Sequence, residues 1–314
     1  MSTLEYAYKK DLVDPAVLSR LRERSDTKAA IQTASHFGAI ILTGTPLYLY
    51  WPAWWSFIIF ALHGMLLNFL YAAQHELMHN TAFKTKFFSE FFSRITGILV
   101  IYPREHDRLL HFAHHRNTNI PGKDPELGFG QDAHKPISKL RMIWLLTSID
   151  YWMRMFKSLI RHTFGNTNEC FWLTEKQRKI IVREARWHLA FYLSLFVISV
   201  VFKTWLIFLL WFAPLIVMKG THHVQNIVEH AGLPLCNNVQ RNTRTIYVNP
   251  IHRWMAWNMQ YHADHHLFTA VPFYNLPALH KHLRSKIENI EQGYFGAIKS
   301  ILTNWRVDDI PDST

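Results

Sequence analysis

Cysteine is nearly absent: the 314 residues hold only Cys170 and Cys236, with no CxxC pair. That excludes a disulfide framework, argues against a thiolate metal site and suits a reducing compartment. An apolar N-terminal core is also missing. The first 28 residues are charged, so no cleavable signal peptide is expected. Internal repeats and low-complexity segments are lacking too. The most telling absence is charge: from Ala29 to His75 there is no Asp, Glu, Lys or Arg. A helix of that length would run roughly 70 Å, about twice the hydrocarbon thickness of a bilayer. It must fold back, and Pro46 and Pro52, set among Tyr48, Tyr50, Trp51, Trp54 and Trp55, mark the break at an aromatic interface.

A second apolar stretch, Trp187 to Met218, carries the single charge Lys203. Lys203 suits a hairpin apex, with the two helices continuing past Arg186 and Lys219 into water. The expected fold is therefore an all-α integral membrane protein, with four transmembrane helices arranged as two hairpins. The spans fall at about 30–50, 53–74, 185–202 and 204–222. Residues 1–28 are a cytosolic segment, 29–285 the membrane domain and 286–314 a cytosolic tail. With the apices near Trp51 and Lys203, 33 of the 34 Lys and Arg residues lie on the opposite side. That bias places this side, and both termini, in the cytoplasm. The net charge of +11 is thus matched to an anionic leaflet rather than to nucleic acid. Phe87–Tyr102, with Glu90 and Arg94, and Lys139–Arg161, with one polar stripe, read as interfacial helices.

Histidine is what the chain has in excess. Three clusters stand out: His75-Glu76-Leu77-Met78-His79, His111-Phe112-Ala113-His114-His115 and His262-Ala263-Asp264-His265-His266. Residues at i, i+3 and i+4 share a helix face, so each cluster can aim two or three imidazoles at one point. Imidazole suits iron, zinc or copper. The even number of spans between the second and third clusters keeps all three in one compartment, on a cytosolic helical cap. A fourth element, His222-His223 to Glu229-His230, places Asn226 and His230 at i, i+4, with His223 on nearly the same face. The histidines outside these ligand positions are read as non-ligands, His223 being the first to reconsider.

Together these motifs resemble the membrane fatty-acid desaturase family over roughly residues 30 to 285. The likeness rests on HELMH, HFAHHRNTN with the following Asp124-Pro125-Glu126, the Asn226 and His230 pair, and HADHHLF. The resemblance implies that His75, His79, His111, His114, His115, His230, His262, His265 and His266 bind two iron ions. O2 would be the co-substrate and an acyl chain or acyl-lipid-like molecule the substrate. Glu76, Glu229, Asp124 and Asp264 sit beside these positions and are expected to orient imidazoles. Asn226 is expected to hold a water or steady a ligand; Asp124 or Glu126 would alternatively cap a helix. Thr269 stands where many relatives have proline, and no HPGG-type haem segment is present. An external ferredoxin or b-type cytochrome, with its reductase, would supply electrons. The expected location is the bacterial inner membrane or the endoplasmic reticulum.

Three rivals remain at this stage. Hydroxylation would use the same centre. HELMH also satisfies HExxH, the helix signature of zinc proteases, but that leaves both HxxHH clusters unexplained. A metal transporter would place its site near the bilayer midplane, whereas these clusters lie at span ends and in loops.

Overall fold

The computed structural model describes residues 11–127 and 136–304; His134 and the last ten residues lie outside them. A short helix α1 (Pro15–Leu21) starts where the Asp14 carboxylate accepts from the amides of Ala16 and Val17. Helix α2 (Asp26–Tyr50) starts at Ser25, whose hydroxyl accepts from the Lys28 amide at 3.2 Å. It ends at Trp51, one residue before Pro52. Pro46 was expected to break the chain with Pro52, yet it lies inside α2. Prolines are accommodated within apolar helices when their surroundings satisfy the freed backbone groups; only Pro52 falls in the turn. There the amides of Ala53 and Ser56 bond to Tyr50 and Ala53 carbonyls at 2.8 Å, and α3 (Ser56–Met78) runs back.

Helix α3 is the axis of the molecule, and its second half is buried on nearly every side. Next come α4 (Lys86–Leu99) and α5 (Arg104–Asn117). The expected single amphipathic helix over Lys139–Arg161 is instead two, α6 (Lys139–Thr147) and α7 (Ile149–Thr163). They part at Ser148, whose φ of +58° is left-handed and ends the α6 ladder. The polar stripe continues across this break, so periodicity alone could not reveal it.

A Thr174–Gln177 capping box opens α8 (Glu175–Val201), 27 residues long. The chain turns at exposed Lys203, φ +48°, and returns through a π-helical stretch, Phe208–Phe212, into α9 (Ala213–Val217). The expected span of 204–222 is interrupted at Met218, where α10 (Lys219–His230) begins. Lys219 does not reach water as expected. It is 2% exposed, with its ammonium 4.2 Å from the Tyr151 ring centre and 5.4 Å from that of Tyr71. Cation–π attraction partly offsets the cost of that burial.

Two close approaches set the frame. A Cβ on Gly64 of α3 would fall 2.5 Å from the Pro214 carbonyl, and one on Gly220 would fall 2.2 Å from the Leu146 carbonyl. Only glycine lets α9 and α10 settle this closely. Asn68 then bridges α3 to α9 by donating to the Leu215 carbonyl at 2.9 Å.

The remaining elements are α11 (Val239–Asn242), β1 (Thr245–Tyr247), α12 (Pro250–Met255), α13 (His262–Leu267), α14 (Leu276–Leu283), β2 (Ile290–Gln292) and α15 (Gly293–Thr303). The all-α expectation omits a small parallel sheet, in which Thr245, Ile246 and Tyr247 of β1 pair with Ile290, Glu291 and Gln292 of β2. Ala297 and Ile301 of α15 share an apolar cluster with Ile227 and Val228 of α10 and Met142 and Leu145 of α6. The segment expected to be a tail thus packs onto the body from 290 to 303.

Among the described residues, two helices are long and apolar enough to cross a membrane, α3 and α8. Apolar side chains also stand exposed on α2 (Ile41, Leu42, Leu49) and before α9 (Trp205, Phe208). The 206–217 path is short, roughly 18 Å of helix.

Candidate metal centre

The nine motif histidines converge where α3, α5, α10 and α13 meet. They form two groups: His75, His79, His111, His115 and His265 in one, and His114, His230, His262 and His266 in the other. Within each group the donor atoms lie within 4.8 Å of one another. The neighbouring nitrogens are all Nε2: His75 to His265 at 3.0 Å, His79 to His111 at 3.1 Å and His111 to His115 at 2.6 Å. In the second group His230 lies 3.3 Å from His114 and 3.0 Å from His262, and His266 lies 3.1 Å from His262. The groups adjoin, the His115 and His266 ring centres being 4.1 Å apart.

A hydrogen bond between two imidazoles needs one protonated and one bare nitrogen. Several Nε2 atoms facing one centre cannot all be paired that way, whereas a cation accepts every lone pair. The donor set therefore fits two metal ions.

Each HxxHH cluster aims two imidazoles at one point, as its spacing allows, and sends the third to the other group. His111 and His115 join one group and His114 the other; His262 and His266 join one and His265 the other. At 3.6 residues per turn, positions i+3 and i+4 lie about 100° apart around the axis. One helix laid between two centres therefore sends its i, i+4 pair to one and its i+3 residue to the other. Helix α5 is pinned in that position by Glu184 of α8. Its carboxylate accepts from the Glu105 amide at 2.9 Å and the His106 amide at 3.2 Å, filling the positive helix start.

The far nitrogens are held unequally. In the four-histidine group, His114 Nδ1 meets Asp124 at 2.9 Å, His230 Nδ1 meets the Asn242 carbonyl at 3.1 Å and His266 Nδ1 meets the Thr118 hydroxyl at 3.1 Å. His262 Nδ1 lies 3.6 Å from Glu229. In the five-histidine group, His265 Nδ1 stands 3.5 Å from Glu76 and His111 Nδ1 stands 3.5 Å from Glu126, while His115 Nδ1 has no hydrogen-bond partner.

Asp124 also accepts from the Asn119 amide at 2.8 Å and the Glu126 amide at 2.9 Å. Glu126 reaches both groups, its second oxygen lying 3.7 Å from His114 Nε2. Asp264, expected beside a ligand ring, bonds His280 and Thr245 instead, at 3.0 and 3.1 Å. His223 stands apart from both groups with its Nδ1 3.1 Å from Ser148. Asn226 lines a cavity with His223, Glu126, Tyr71, Tyr151 and Ile227, about 290 Å³ in volume. Thr118, Asn242 and His280 were not singled out from the sequence. Thr118 lies within the HFAHHRNTN motif, but Asn242 acts through its backbone carbonyl, which leaves no mark there.

Burial, reinforced by neighbouring imidazoles, holds His111, His115, His262, His265 and His266 well below the usual histidine range. These rings are neutral, the form that binds metal. His114 is the exception: burial opposes its proton, yet Glu126 and Asp124 outweigh that and raise it to about 9.

The Fatty acid desaturase family model matches residues 49–297, and no curated protein matches the chain. The chain belongs to the fatty acid desaturase family.

Proposed function

We propose that this chain is an O2-dependent desaturase that introduces a double bond into an acyl chain or acyl-lipid-like substrate. The observation that carries the reading is the sorting of nine histidines into two adjoining groups with their Nε2 atoms turned inward. His75, His79, His111, His115 and His265 hold one iron, and His114, His230, His262 and His266 the other. Bound there, iron supplies the capacity to use O2 and external electrons to remove hydrogen from an unactivated C–H bond. Glu76, Glu126, Asp124 and Glu229 orient the rings. Asp124 does so most directly, fixing which nitrogen of His114 faces inward.

The cavity runs up to Glu126 and has Tyr71, Tyr102, Leu110, Met155 and Ile227 on its walls. Its volume lies near the lower end of small-ligand pockets. These walls hold the acyl chain, with Asn226, His223, Arg141 and Arg154 among the polar groups beside it. The zinc-protease reading has no support here. Glu76 is fully buried, neither carboxylate oxygen has a hydrogen-bond partner, and His75 and His79 sit among three further histidines.

The same proposal takes the four apolar paths, α2, α3, α8 and the stretch from 204 to 217, as spans of one bilayer. The exposed apolar side chains on α2, α8 and before α9 support it. So does the one-sided Lys and Arg bias, which puts the histidines and both termini on the cytoplasmic face. A ferredoxin or b-type cytochrome with its reductase delivers electrons on that face. Lipid and metabolite profiling of cells with and without the gene tests the reaction. A new double bond that requires the gene is the expected result; a new hydroxyl instead would assign the centre to hydroxylation.

A further inference from the structure

A second set of metal-binding side chains lies apart from the nine histidines. His106 of α5, His162 of α7 and Cys170 of the loop before α8 bring their donor atoms within 4.8 Å of one another, and all three are buried. His162 Nε2 is crowded: Glu169 Oε1 lies 3.2 Å away, Ser158 Oγ 3.4 Å and Cys170 Sγ 3.5 Å. One imidazole nitrogen cannot form good hydrogen bonds with all of these. His106, only 4% exposed, sits with its ring 4.9 Å from that of His162, and its Nε2 has no hydrogen-bond partner. A buried, unpartnered nitrogen costs free energy unless something occupies it. Around the cluster lies an apolar shell of Leu109, Leu173 and Ile181, with Trp172 packed against it.

We infer that His106, His162, Cys170 and Glu169 form a zinc site distinct from the proposed iron centre. One thiolate and two imidazoles supply three ligands, with the Glu169 carboxylate, also paired with Arg161, beside His162, and sulfur with nitrogen in tetrahedral geometry selects zinc. Tetrahedral zinc holds its ligand atoms roughly 3.4–3.6 Å apart. The His162 to Cys170 and His162 to Glu169 separations already approach that. With its ligands drawn from three packed segments, the site is structural. It ties the start of α5, which carries His111, His114 and His115 further along, to the end of α7 and the loop entering α8. Two isolated cysteines give no hint of this in the sequence, because the partners come from three separate segments.

The test uses the full chain purified in detergent, with total metal measured by mass spectrometry and cobalt then exchanged for zinc. About one zinc per chain is expected, together with an intense near-ultraviolet thiolate-to-cobalt band. Cys170→Ser removes the band and lowers zinc at least about tenfold, while circular dichroism reports whether the variant is folded. His115→Ala, aimed at the iron centre, leaves the band intact. Wild-type protein that holds no zinc and, loaded with cobalt, shows no thiolate band overturns the inference, whatever becomes of the variants. So does a folded Cys170→Ser protein that keeps its zinc. Neither result bears on the iron assignment, which is read from iron content and product formation.

Discussion

The two histidine groups use the same ligand atom and share two helices, yet they are built differently. Three of the four rings in the four-histidine group are anchored from behind, by Asp124, the Asn242 carbonyl and Thr118 at 2.9–3.1 Å, while His262 Nδ1 stands 3.6 Å from Glu229. The five-histidine group has more rings but looser support, its carboxylates standing off at 3.5 Å and His115 Nδ1 unpartnered. His79 and His115 are also only partly buried. One centre is preorganised by its neighbours, whereas the other relies on ligand number. An oriented ring loses less freedom on binding metal and is a better base, so the four-histidine centre should hold its ion more tightly for each ligand.

The largest expected effect tests whether both groups are needed. His265→Ala or His115→Ala in the five-histidine group should abolish turnover and empty that centre, and His266→Ala should do the same for its neighbour. Iron per chain and product formation are the measurements. Full activity in His115→Ala or His265→Ala would sink the two-centre assignment; activity in His266→Ala alone would show that one centre suffices.

The difference in anchoring is tested next. Asp124→Asn keeps the shape but weakens the acceptor for His114 Nδ1, and should cost about 10–100-fold in metal affinity at the four-histidine group. Glu76→Gln, acting across 3.5 Å on His265, should cost only a few-fold at the other. The comparison breaks if chelator titration finds the two substitutions equal.

That inequality could not have been read from sequence, and the reason is geometric. The nine histidines announce themselves because HELMH and both HxxHH clusters place imidazoles one turn apart, a local property of the helix. Their division into five and four depends on what lies on either side of α5 and α13, which only tertiary packing decides. The same limit applies to the fold. Charge-free runs mark α2, α3 and the α8 region, but Pro46 is carried inside α2 and the chain breaks at Ser148 and Met218 without warning. Asp264 lies between box histidines in sequence, yet it faces His280, sixteen residues away.

The pH response should separate the groups as well. With its value raised to about 9, His114 carries a proton at neutral pH in metal-free protein. Binding metal must expel that proton, so affinity at the four-histidine group should fall about tenfold for each unit below pH 9. His111, His115 and His265 are held below the usual range by burial, so no proton competes there and affinity should be nearly flat from about pH 7 to 8. Cobalt titrations in His115→Ala and His266→Ala backgrounds read each slope separately. Equal slopes would mean that the Asp124 contact does not distinguish the centres.

The smallest effect is on the metal-free fold itself. Because folding raises His114 from an ordinary value near 6.5 to about 9, its pairing with Glu126 and Asp124 stabilises the folded state fully below pH 6.5. That contribution drains away as pH climbs through 9, where the folded-state ring loses its proton. Asp124 works from the other side. Although burial opposes it, His114 and two backbone amides keep its carboxyl below 3.8, so its share is lost only in acid. Metal-free wild type should therefore melt a few degrees, on the order of one to five, above metal-free Asp124→Asn near pH 6.5. The gap should narrow towards pH 9. A gap that widens with pH would show His114 neutral before metal arrives, and would place the tighter anchoring of its group in ring orientation alone.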